Sequence, residues 1–210
     1  MIHIVDYGCG NIASVASMLR RLQVECKIST NAASLHSATK VILPGVGTFD
    51  SGMRGIRERE LHDVLRYKAL EERVPVFGIC LGAQLMTAGS EEGVEPGLGW
   101  LPARTVKFDF GARDVPVLPL PNIGWRDVYE PCEGARPSTQ SAEEVARRFY
   151  FVHKYHFEAA NEITWMRSMY GYEFASALRM DNLWSVQFHP EKSHRYGMRL
   201  LSAFAAGTLA

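Results

Sequence analysis

The sequence predicts an α/β fold, a mixed central sheet flanked by helices, with a tight nucleophile-bearing elbow between one strand and its helix. Three observations carry that expectation. Apolar runs beginning at Ile2, Val41 and Val74 each give way to a glycine-containing turn and then to helix-compatible sequence, the alternation of a doubly wound parallel sheet. The run from Val74 to Ile79 is apolar on both of its faces, as a strand covered by helices on both sides must be. After Gly89, strand-like runs follow one another with no long helix between them, so the second half is expected to be more antiparallel.

The elements follow in order. Residues 2–7 form a strand-like run that stops at Gly8-Cys9-Gly10-Asn11. Asn11 has the side chain of a helix N-cap, and Ile12, Val15, Leu19 and Leu22 then recur at the spacing of one helical face. Short strands are expected over residues 26–29 and 41–43, the latter ending in Pro44-Gly45-Val46-Gly47, and helical patterning resumes between residues 50 and 72. The strand at residues 74–79 breaks at Cys80 into a helix-compatible segment over residues 81–86. Residues 105–108, 116–120, 149–156, 163–170 and 183–189 read as further strands. The last helix is expected to start near Glu191, with Tyr196, Leu200 and Phe204 at intervals of 4. Residues 130–144, rich in Pro, Ser, Glu and Gly, read as an exposed loop. With no repeat, low-complexity tract or linker, residues 1–210 read as one domain.

Composition then removes whole classes of function. A chain of 210 residues with 47% hydrophobic and 22% charged residues has the balance of a soluble globule, not of a disordered or fibrous protein. Its formal net charge of +0 provides no general field to gather nucleic acid or an anionic membrane. No apolar stretch approaches the roughly 20 residues of a membrane-spanning helix. The first residues lack the basic and long apolar regions of a signal peptide, so a cytoplasmic protein is expected. Cys9, Cys26, Cys80 and Cys132 are widely spaced, with no C-x-x-C and no zinc-type pairing, so they are expected to be reduced thiols, with no metal and no cofactor called for.

One of those thiols sits in a chemically suggestive place. Gly78-Ile79-Cys80-Leu81-Gly82 lies at a strand-to-helix junction, and a nucleophile flanked by glycines there is lifted out of the sheet. The start of the following helix favours a thiolate and offers the Leu81 N–H to an oxyanion. A nucleophilic cysteine needs a base, and the base needs an orienting acceptor. His189 and Glu191, 2 residues apart at the end of an expected strand, leave the chain on the same face if the extended conformation persists through Pro190. Pro44-Gly45-Val46-Gly47 ends a strand at the same sheet edge, and its glycines let a peptide turn its N–H toward a substrate oxygen. Each motif alone has a bland counterpart: a buried structural cysteine, a surface histidine beside a helix start, a simple turn. Together they complete a Cys, His, Glu triad. His153 and His156 lie in a strand-like run, where residues 3 apart face opposite ways, which argues against a metal pair.

In these residues the chain resembles the triad-type class I glutamine amidotransferases, and within them the glutaminase subunits of imidazole glycerol phosphate synthase. The resemblance rests on Asp6-Tyr7-Gly8-Cys9-Gly10-Asn11, on residues 43–49, on Gly78 to Met86 with the elbow at its start, on residues 97–100, 123–125 and 150–153, and on residues 185–193 with His189-Pro190-Glu191 at their centre. It implies that Cys80 attacks the side-chain amide carbon of L-glutamine, that His189 moves the protons and that Glu191 orients His189. Leu81 with the Val46 and Gly47 segment would form the oxyanion hole, and Gln84 would help to hold glutamine. The resemblance further implies a heterodimer in which ammonia passes through a channel into a (β/α)8 cyclase subunit in histidine biosynthesis. Asn11, Asn122, Trp125, Tyr150 and Lys192 match positions near that subunit interface, and residues 150–155 border the glutamine pocket.

The chain also departs from the family pattern. The family usually reads Pro-His-Met-Gly-Trp-Asn in the loop facing the cyclase, where this chain has Pro121-Asn122-Ile123-Gly124-Trp125-Arg126. Cys9 replaces a residue that is more often small or a thioether, and Lys154 follows His153 where serine is frequent. These changes leave open a paralogous glutaminase that feeds another synthase, such as one making an amidino-sugar. A stand-alone cysteine hydrolase acting on γ-glutamyl peptides would use the same triad, and a binding subunit would need none of it.

Overall fold

The apolar runs assemble into an 11-stranded mixed sheet in the computed structural model, which describes residues 1–131 and 147–209. In chain order the strands are β1 (Ile2–Val5), β2 (Cys26–Ser29), β3 (Lys40–Gly45), β4 (Val76–Cys80), β5 (Ala103–Lys107), β6 (Asn122–Tyr129), β7 (Arg147–His153), β8 (Tyr155–Ala159), β9 (Thr164–Tyr170), β10 (Tyr172–Met180) and β11 (Leu183–Val186). Across the sheet they run β2-β1-β3-β4-β11-β10-β9-β6-β7, with β8 also on β10 and β5 on β8. The pairings from β2 to β11 are parallel and those from β11 to β7 antiparallel, so β11 stands where the two halves meet. The predicted fold class is the observed one.

Helices cover both faces because the strands present apolar residues to both. On one face, α1 (Ile12–Arg21) and α6 (His194–Ala206) bury Val15, Leu19, Leu201 and Phe204 against Ile4, Ile42, Phe77 and Ile79. On the other, α2 (Ala32–Leu35), α3 (Phe49–Glu58), α4 (His62–Arg66) and α5 (Leu81–Leu85) bury Leu35, Phe49, Ile56, Leu65 and Leu85 against Val5, Val41, Leu43 and Val76. Each such side chain contributes about 1.5–3 kcal/mol when taken from water. Asn11 caps α1 as predicted, its side chain accepting from the Ser14 N–H.

Several expectations needed correction. The helix over residues 50–72 is in fact α3, α4 and a π-helical turn at Tyr67–Glu71, because the chain turns at Glu60, whose φ is +54°. Residues 116–120 form no strand: Pro116 and Pro119 have no N–H to give to a ladder. The run over 149–156 breaks at Lys154 into β7 and β8, and the run over 183–189 stops pairing as a strand at Val186. The last helix begins at His194, after a 3-10 turn at Pro190–Lys192. Strands β6 and β10 were not anticipated. The expected loop over 130–144 lies, beyond Pro131, outside the described residues.

Candidate active site

Sheet register brings the site together. Gly45 of β3 lies beside Cys80 at the end of β4, and Val186 of β11 lies beside Ile79, so the segments leaving three parallel strands converge at one edge. Cys80 has φ +51° and ψ −111°, a left-handed conformation rarely adopted by a residue with a side chain, and α5 begins at the next residue. The turn is this tight because backbones approach closely: a side chain at Gly82 would run into the Leu43 carbonyl oxygen. The glycine-flanked elbow is therefore required by packing, and the thiol is buried but for 8% of the residue.

His189 follows β11 by way of Gln187 and Phe188. Its N–H donates to the Tyr150 carbonyl at 2.9 Å, and its own carbonyl accepts from Ser193 Oγ at 2.6 Å. The Nδ1 atom is 2.8 Å from Glu191 Oε1, with both side chains only 3% exposed. That bond fixes the Nδ1–H tautomer when the ring is neutral and leaves Nε2 to exchange the mobile proton. Burial opposes charge on the ring, but the negative charge and hydrogen bond of Cys80, followed by those of Glu191, outweigh it and push the His189 pKa up to about 10. The structure thus unites Cys80, His189 and Glu191, residues more than 100 positions apart in the chain between the first and the second.

Around this centre, Val46 is half exposed and Gly47 has φ +137°, a conformation suited to glycine; a side chain there would sit 3.8 Å from Leu81 Cδ2 and 3.9 Å from Cys9 Sγ. The segment is anchored beyond by Thr48, which caps α3, and by the Phe49 N–H donating to Glu92 Oε2 at 2.8 Å. Gln84 is buried on α5, and its Nε2 donates to Gln187 Oε1 at 3.0 Å. Gln187, Ser193 and Glu92 had no role in the sequence reading. Gln187 was the most accessible of them, since it stands 2 residues before His189 in an extended run.

The residues expected near a partner fall in two groups. Trp125, Tyr150 and Lys192 cluster: Trp125 meets Tyr150 edge-on at 6.0 Å, Lys192 lies over the Tyr150 ring at 6.0 Å, and Trp125 stacks on His194 at 5.5 Å. Asn11 is exposed at the start of α1, whereas Asn122 is fully buried, its Nδ2 donating to His153 Nε2 at 2.9 Å and its Oδ1 accepting from Arg126 Nε at 3.0 Å. His153 and His156 do not face opposite ways as predicted. The break at Lys154 turns both onto Phe108, at 5.4 and 4.6 Å between ring centres. Among the described residues no group of His, Cys, Asp and Glu is placed to hold a metal ion, and no helix is long and apolar enough to cross a membrane.

Comparison with known proteins agrees with this geometry. The family described as Glutamine amidotransferase class-I matches residues 3–206. The chain is 43% identical to imidazole glycerol phosphate synthase subunit HisH 2 of Pseudomonas aeruginosa, over 97% of this chain and 98% of that protein. It is 41% identical to subunit HisH of Bdellovibrio bacteriovorus, over 98% and 99% of the two chains. A crystal structure of glutamine amidotransferase superposes with a TM-score of 0.73 at 21% identity, over 99% of this chain and 100% of that one, a likeness of fold.

Proposed function

The chain belongs to the class-I glutamine amidotransferases, and on that premise we propose that it hydrolyses L-glutamine to glutamate and ammonia as the glutaminase subunit of an imidazole glycerol phosphate synthase, using Cys80, His189 and Glu191. The observation that carries the reading is the strained Cys80 elbow facing a buried His189–Glu191 pair at the junction of the two half-sheets. The Cys80 thiolate attacks the amide carbon while Leu81 and the Val46 and Gly47 segment donate backbone N–H groups to the developing oxyanion. His189 gives its Nε2 proton to the departing nitrogen, releasing ammonia and leaving a glutamyl thioester. The neutral ring then takes a proton from water, hydroxide adds to the thioester, and the thiolate leaves as glutamic acid forms and ionises. Glu191 keeps the ring aimed throughout, and Gln84 lies beside the pocket that receives glutamine.

In this reading residues 1–210 act as one glutaminase domain in the cytoplasm, in a heterodimer with a (β/α)8 cyclase that receives the ammonia through a channel. Trp125, Tyr150, Lys192, Asn11 and the loop carrying Asn122 are assigned to its docking side. A second reading, a paralogous glutaminase serving another synthase, is favoured by one observation: Asn122 and Arg126, which replace the usual loop residues, are joined to each other and to His153.

The test is glutamate release by the purified chain alone and with the histidine-pathway cyclase and its ribulosyl substrate. Strong stimulation that vanishes in Cys80→Ala, with partner binding retained, supports the proposal. Weak activity with that cyclase leaves the paralogue, steady activity without a partner points to a stand-alone hydrolase, and hydrolysis by Cys80→Ala overturns the triad.

A further inference from the structure

Gln187 has no task in the proposed reaction, although its amide nitrogen lies 3.6 Å from the Cys80 sulfur. The parallel pairing of β11 with β4 ends with Val186 opposite Ile79, and one further step along each strand puts Gln187 opposite Cys80. Gln187 is fully buried, and its backbone N–H is held by the Ser176 carbonyl at 2.9 Å. Its amide nitrogen donates to Cys80 Sγ at 3.6 Å, while its amide oxygen accepts from Gln84 Nε2 at 3.0 Å. Chemistry fixes this orientation: a thiolate only accepts, so it needs the NH2 end of Gln187, and Gln84 holds that end toward it by donating to the opposite oxygen.

We propose that Gln187 is a further catalytic residue of the glutaminase site, donating a hydrogen bond to the Cys80 thiolate both before attack and when it leaves the thioester, and that Gln84 is the positioning residue that orients it. The inference rests on Cys80 being the nucleophile. A charge-assisted bond favours the ionised over the neutral sulfur. It also frees His189 to serve the substrate, because before attack the thiolate keeps a second donor while the imidazolium turns its proton from the sulfur toward the substrate amide nitrogen. Without the bond, the balance shifts from thiolate toward thiol. The remaining thiolate is intrinsically more nucleophilic, but with a Brønsted slope of about 0.4–0.5 that recovers only about half of the decade lost per pH unit, a net loss of about threefold.

The experiment uses the full chain. The rate of Cys80 alkylation by iodoacetamide is followed by peptide mass spectrometry against pH in the wild type, Gln187→Met, Gln84→Met and the double variant, and glutaminase kinetics are measured in complex with the cyclase. Methionine keeps the volume, and the double variant leaves no buried amide unpaired; a urea midpoint near that of the wild type certifies its fold. The midpoint of Cys80 alkylation is expected to rise by about one pH unit in Gln187→Met. A smaller rise is expected in Gln84→Met, and none beyond the Gln187 effect in the double variant. The kcat should fall about threefold or more with KM within twofold of the wild type. An unchanged alkylation profile in the folded double variant overturns the role of Gln187 while leaving Cys80 as nucleophile, whereas glutamine hydrolysis by Cys80→Ala overturns the underlying reading.

Discussion

Glu191 illustrates how one side chain sets the chemistry of the next. Its Oε1 bonds His189 Nδ1, while its Oε2 is buried without a hydrogen-bond partner among the described residues. A buried carboxylate with so little other compensation relies on a neighbouring positive charge, so it favours the imidazolium strongly. Glu191→Gln keeps the shape and removes the charge, and its amide can also present NH2 to Nδ1 and select the wrong tautomer. The expected result is a loss of kcat on the order of 100-fold or more with KM little altered. Steady-state kinetics of the stimulated complex decide this, and a kcat within threefold of wild type would show that His189 does not depend on Glu191 for orientation.

At the scale of elements, the proposed base His189 is positioned by the way α6 meets the turn before it. A side chain at Gly197 would run into the backbone of Pro190, next to Glu191, so the first turns of α6 rest directly on the segment between His189 and Ser193. Gly197→Ala should therefore destabilise by about 1–3 kcal/mol and lower kcat by displacing Glu191, whereas Gly89→Ala, where no atom lies within 4 Å, should leave both unchanged. Urea midpoints and kcat for the two variants test the contrast. Elements with strong local signals were legible in the sequence: Asn11 at the start of α1, the apolar β4, and the glycines around Cys80. Strand β10 was not, because Ala175, Ser176, Ala177 and Leu178 are buried in succession at the sheet centre, which erases the alternation that marks a strand. The division of residues 50–72 was hidden because Glu60 takes a left-handed conformation with no glycine or proline to announce it. In the site, the proposed triad residues could be picked out from motifs, but the Gln84–Gln187 bond joins side chains 103 positions apart, and only the pairing of β11 with β4 makes them neighbours.

For the molecule as a whole, the parallel half-sheet supplies the proposed nucleophile, and the antiparallel half supplies a wall held by His153. The Val152 carbonyl lies 4.0 Å from Cys80 Sγ, and the adjoining His153 ties β6 to β7 through Asn122 while its Nδ1 donates to the Tyr155 carbonyl at 2.7 Å. Nε2 must stay unprotonated to accept from Asn122. Burial, aided by the charges of His156, His189 and Arg126, outweighs the opposing effect of the Tyr155 bond and lowers its pKa to about 3. In the unfolded chain the same ring titrates near 6.5, so between about 6.5 and 3 the unfolded state binds the proton and the native state does not. Stability must then fall as pH falls through this window, by about 1.4 kcal/mol per unit for His153 once well below 6.5. Burial lowers the pKa of His3 and His156 as well, and they add to the slope with the same sign. His189 has a raised pKa, so its contribution is complete below 6.5 and is lost only as pH rises toward 10; it does not mask the acid slope. Urea titrations at intervals from pH 7 to pH 5, above the range in which ordinary carboxylates titrate, should show the wild type losing stability steadily. His153→Gln, which cannot be protonated, should lose it less steeply, and parallel slopes for the two proteins would mean that His153 is charged in the folded state and that the Asn122 bond does not hold this wall.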